Sequence, residues 1–154
     1  MDTNSFPHLK YDQIKVLSLD SSIYRISEIK LFDDGWLDQN DGFLDKQGNP
    51  IHKKITSYTL NKQQRQEVAY IFRPTCPGDD SLAKKCVPMY RDAVIFYENE
   101  KPVAFVNVCF QCEQASSFPA SQAMNCFANE KLPDLKVFFK KYGFYQKNFT
   151  DDMR

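Results

Sequence analysis

At 154 residues the chain is of single-domain size and long enough to bury a core without staples. Twenty basic and twenty acidic residues cancel, so no positive excess supports a nucleic-acid role. Apolar residues make up 42%, with 13 Phe and 8 Tyr, which excludes global disorder, and no apolar run approaches the roughly 18–20 residues of a membrane span.

Residues 1–12 read as a loose polar lead-in to one domain covering 1–154. MDTNSFPHLK lacks the charged start and apolar core of a secretion signal, so the sequence as it stands reads as cytoplasmic. The alternative is an exported or lipid-anchored protein whose signal has been removed. Gln13–Leu19 and Ile23–Phe32 are rich in β-branched and aromatic residues, and read as strands joined at Asp20-Ser21-Ser22. Residues 33–50 are acidic and punctuated by Gly35, Gly42, Gly48 and Pro50. An EF-hand frame set on Gly42 puts Leu37 at the first ligand and Gly48 at the twelfth, so it fails. A solvated acidic loop fits better.

The stretch 61–72 predicts a helix. Asn61 and Gln64 have the spacing of a capping box, Val68, Ile71 and Phe72 supply a core stripe, and Pro74 closes the segment. The loop that follows carries Cys76 and Cys86 at its ends. Residues 91–97 and 103–110 then read as a hairpin. Both of its faces are largely apolar, which predicts a central ribbon covered on both sides. If Tyr97 pairs with Pro102, Ile95 faces Ala104, Ala93 faces Val106 and Asp92 faces Asn107. The turn contains neither Asn-Gly nor Asp-Gly, so its type stays open.

Residues 113–128 are ambiguous, with a short helix near Pro119 as one reading. The stretch 133–142 predicts a second helix. Pro133 sits in its first turn, Leu135, Phe138, Phe139 and Tyr142 line one face, and Gly143 is the stop. Residues 144–154 form a polar tail whose sequon, Asn148-Phe149-Thr150, reads as chance without a secretion signal. The fold expected is α+β: an antiparallel sheet around the hairpin, packed by the helices near 61–72 and 133–142.

Chemistry concentrates in the thiols. A structural zinc would use Cys86, Cys109 and Cys112, with a fourth ligand from Cys76, Cys126 or His52, but only one pair has the close spacing such sites favour. Cys109 and Cys112 also have the spacing of a redox pair, without the βαβ context of a thioredoxin-like protein. The plainer alternative is that Cys109 is an ordinary buried residue at a strand end and any bridges are staples. Arg91 lies in the register of an apolar face. It is either a sheet-end arginine whose head reaches water or a buried, anion-binding one near the thiols. No Gly-x-Ser-x-Gly or phosphate-cradling glycine loop occurs, and neither His8 nor His52 has a catalytic setting.

The pattern Cys86-x-Pro88-x-x-Arg91, followed by Val108-Cys109-Phe110-x-Cys112, resembles a segment of small uncharacterised bacterial proteins. The closing LPDLKVFFKKYGF is similar to their C-terminal helix. The resemblance implies a bacterial source and brings no activity with it; some members are exported or lipid-anchored. The missing catalytic machinery, neutral charge, compact size and exposed-looking acidic and aromatic loops predict a non-catalytic protein-binding domain, a small bacterial inhibitor or immunity-type protein, with a protein partner and no cofactor. The alternative is a thiol protein with zinc or a redox-active disulfide at Cys86, Cys109 and Cys112.

Overall fold

The computed structural model describes residues 10–19, 55–73, 92–110, 113–118 and 130–144. Five strands form one antiparallel sheet: β1 (Gln13–Leu19), β2 (Ile55–Thr59), β3 (Asp92–Glu98), β4 (Lys101–Cys109) and β5 (Gln114–Phe118). Their order is β2-β1-β3-β4-β5, which places the β3–β4 hairpin inside the sheet. Two helices, α1 (Lys62–Ile71) and α2 (Leu132–Lys141), pack against it, so the α+β architecture expected from the sequence is the one observed. No helix of the described residues is long and apolar enough to cross a membrane.

Side chains alternate across each strand, and here both faces are apolar. One face presents Ile14, Val16, Val94, Phe96, Ala104, Val106 and Val108 to Val68 and Ile71 of α1 and to Leu132, Leu135, Phe138 and Phe139 of α2. On the other face Leu17, Ala93, Ile95, Tyr97 and Phe105 are no more than 1% exposed. A strand buried on both sides needs no polar alternation, which is why β3 reads as an unbroken apolar run.

The hairpin turn is Asn99-Glu100, and both residues have positive φ, 52° and 67°. Two left-handed central residues make a type I′ turn, whose twist matches that of the strands it joins. Tyr97 pairs with Pro102 as read from the sequence, but beyond that the register departs from expectation. Ile95 lies opposite Phe105 rather than Ala104, Ala93 opposite Asn107, and Asp92 opposite Val108. The cause is an extra residue, Val103, inserted in a β-bulge opposite Phe96. It follows Pro102, which has no N–H to give the ladder.

Both helices end as their sequences specify. Asn61 and Gln64 each accept the other's backbone N–H at 2.9 Å, completing the capping box of α1. In α2, Pro133 occupies the first turn, where a missing N–H costs nothing. At its other end Gly143 adopts φ 69°. Gly143 N–H donates to the Lys140 carbonyl at 3.2 Å and Phe144 N–H to the Phe139 carbonyl at 2.9 Å. This is a Schellman motif, and its hydrophobic contact is the Phe139–Phe144 ring pair, 6.1 Å between centroids. Phe144 is thereby buried in the core, and Tyr11 packs edge-on to Phe96 from the opposite end of the chain.

Strands β2 (ITSYT) and β5 (QASSF) were not anticipated; both are short, polar, and placed at the two ends of the strand order. The strand expected at 23–32, the acidic loop 33–50, the Cys76–Cys86 loop and the helix near Pro119 lie outside the described residues.

Candidate functional site

Of the residues singled out for metal or thiol chemistry, Cys109 alone falls within the described residues. Cys86, Cys112, Cys76, Cys126 and His52 lie outside them, as does Arg91. Cys109 ends β4, pairs with Gln114 of β5, and is 4% exposed on the face away from the helices. Among the described residues no group of three or more His, Cys, Asp or Glu is placed to hold a metal ion.

Next to Arg91 in sequence, Asp92 is buried at the start of β3 on the helix-bearing face. A carboxylate there requires hydrogen bonds to offset its lost hydration. Ser18 of β1 donates one to its Oδ1 at 2.7 Å, and Thr56 of β2 donates to the Ser18 carbonyl at 3.2 Å. The result is a polar line across three strands, closed off from solvent at Asp92 and Ser18.

Among the described residues two clefts open to solvent. The first lies at the hairpin tip, has a volume of about 560 Å³, and is lined by Asp12, Gln13, Arg65, Asn99 and Glu100. Asn99 N–H donates to the Asp12 carboxylate at 3.1 Å, tying the turn to the chain ahead of β1. Arg65 donates to the Leu60 carbonyl at 3.4 Å. Nearby, burial pushes the Tyr11 phenol above its ordinary range, an effect partly offset by the positive charges of Arg65 and Arg73.

The second cleft is a groove of about 550 Å³ between α1 and α2. Two lysines reach across it: Lys131 Nζ, ahead of α2, lies 5.5 Å from the Tyr70 ring centroid near the end of α1, while Lys141, ending α2, reaches Glu67. Lys141 Nζ donates to the two Glu67 carboxylate oxygens at 3.3 and 3.4 Å, and the Tyr142 hydroxyl donates to the same carboxylate. Hydrogen bonding to Tyr142, and then to Glu67, holds Lys141 protonated above the usual lysine range. Glu67 and Lys141 of this clamp line the groove. Gln63, Gln66, Asp134, Tyr70 and Val137 line the remainder.

Tyr70 and Val137 are 68% and 64% exposed, although each belongs to a helix whose other face is buried in the core. Two large apolar side chains flanked by amides and paired charges offer contact and hydrogen bonding. Sequence reasoning did not pick out this face. The available signal was that Tyr70 and Val137 lie off the apolar stripes defined by Val68, Ile71 and Phe72 and by Leu135, Phe138 and Phe139.

No family model, curated protein or solved structure matches this chain. Fold and surface together define the class: a small α+β domain that buries both faces of an antiparallel sheet and displays a helix pair.

Proposed function

We infer that this chain is a non-catalytic protein-binding domain, of the small bacterial inhibitor or immunity type, that masks a partner through its α1–α2 face. The observation that carries this reading is the placement of Tyr70 and Val137 in one groove, exposed, with their flanking charges already held by Glu67, Lys141 and Tyr142. An aromatic anchor beside a rim of polar groups is the arrangement in which a few residues dominate protein recognition. The pre-formed clamp supports it further, because two packed helices lose little entropy on association.

The experiment is site-specific photocross-linking from position 70, with position 59 as an exposed control, followed by reconstitution of the captured protein. The affinity of the reconstituted pair is then measured for the native chain, Tyr70→Ala and Val137→Arg. A stoichiometric complex weakened about tenfold or more by each substitution is expected. A complex whose affinity neither substitution changes would refute the assignment of this face.

A further inference from the structure

We propose that a second copy of this chain covers the α1–α2 face in solution, the two copies being related by a two-fold axis beside Val137. This rests on reading the face as protein-binding, and adds what occupies it while no other partner is present. Asp134, Val137 and Lys141 are spaced three and four apart, so they fall along one stripe of α2. All three are exposed on the groove side. The stripe is antisymmetric in charge: an anion lies one turn before Val137 and a cation one turn after it.

A two-fold axis beside Val137 reverses the helix. It lays Asp134 of each copy against Lys141 of the other, so the pair forms twice per dimer, with Val137 against its own mate and Tyr70 at the rim. Within the chain, Asp134 has no hydrogen-bond or ion-pair partner among the described residues. Lys141 is 55% exposed, so its ammonium, already bonded to Glu67 and Tyr142, still faces solvent where a second carboxylate can share it. A formal net charge of zero removes the long-range repulsion that would otherwise oppose self-association. A partner heterologous to the chain would then bind only by displacing the second copy, so self-pairing sets the free fraction of the face.

The test is sedimentation velocity from about 1 μM to about 1 mM, on the native chain, Asp134→Lys, Lys141→Glu and Val137→Arg, with folding checked by circular dichroism. The native chain is expected to dimerise with rising concentration. Each charge variant should dissociate about tenfold more readily, because like charges then meet twice. An equimolar mixture of Asp134→Lys and Lys141→Glu should form a heterodimer, since both contacts become opposite in sign again; a folding defect cannot produce that recovery. A native chain that stays monomeric, a dimer indifferent to the three substitutions, or a mixture that fails to pair overturns the proposal. A monomeric native chain that still loses its cross-linked partner on Tyr70→Ala would sink the dimer alone and leave the binding face standing.

Discussion

Glu100→Gly is expected to stabilise the protein, and the size of the gain follows from the hairpin turn. Glu100 has φ 67°, in the left-handed region where an L side chain crowds its own backbone. That conformation costs roughly 1–2 kcal/mol for a residue with a Cβ and almost nothing for glycine. Glycine in turn loses more backbone freedom on folding, worth roughly 0.4–1 kcal/mol in the opposite direction. The exposed Glu100 carboxylate has no hydrogen bond or ion pair among the described residues, so no contact is forfeited. The net gain is about 0.5–1 kcal/mol, or roughly 2–4 °C in Tm per kcal/mol for a chain of this size. Urea titration of the native chain and Glu100→Gly measures it, with an unchanged slope required for the comparison to hold. Glu100→Ala keeps the strain and should differ from the native chain by less than about 0.5 kcal/mol. If Glu100→Gly gives no gain while Glu100→Ala destabilises, the strain argument fails. The carboxylate would then be stabilising the cleft it lines with Asp12, Gln13 and Arg65.

Other substitutions probe the remaining devices. Asn61→Ala should cost about 1 kcal/mol in urea unfolding, and adding Gln64→Ala should cost less than it does alone, because the two side chains cap reciprocally; strict additivity would contradict that coupling. Gly143→Ala should destabilise by about 1–2 kcal/mol through φ alone, since a Cβ built there meets nothing within 4 Å; a neutral result would remove the Schellman end as a source of stability. The native state keeps the Tyr11 proton at pH values where the unfolded chain, titrating near 10.0, has lost it. Stability should therefore hold below about pH 10 and fall as pH rises above it; Tyr11→Phe should flatten that alkaline decline, and an unchanged pH profile would contradict the burial of the phenol. Cys109 should resist thiol reagents in the native state and react on unfolding, as its 4% exposure requires; rapid labelling of the folded protein at Cys109, read by peptide mass, would refute the packing.

What the sequence made legible was whatever is encoded locally. The α1 capping box, the Gly143 stop and the helical spacing of Leu135, Phe138 and Phe139 each lie within a few residues of what they control. The apolar runs of β3 and β4 were equally plain, because strands buried on both faces need no alternation. Strands β2 and β5 were missed for different reasons: ITSYT consists of strand-favouring residues but is short and has no apolar run, whereas QASSF carries little strand signal, and both are ordered by pairing with β1 and β4. The Ser18–Asp92 hydrogen bond was out of reach too, since its partners are 74 residues apart and meet only once β1 lies beside β3. The α1–α2 groove lay outside the sequence reading. Cysteines draw attention by their chemistry, whereas Tyr70 and Val137 stand out by facing away from the core, which becomes visible only once the inward faces of α1 and α2 are known.

The bulge at Val103 acts on the sheet as a spacer that keeps two reading frames in step. It holds one surplus residue between the Tyr97–Pro102 and Phe96–Ala104 pairs, so the faces of β4 are set by pairing and not by unbroken alternation from the turn. Excising Val103 would leave both pairs as they are and close the ladder, with Phe105, Asn107 and Cys109 still turned away from the helices. A residue added or removed beyond Ala104 has no such outlet and would exchange faces. Tolerance to a change of length is therefore local: lenient at the bulge, strict past it.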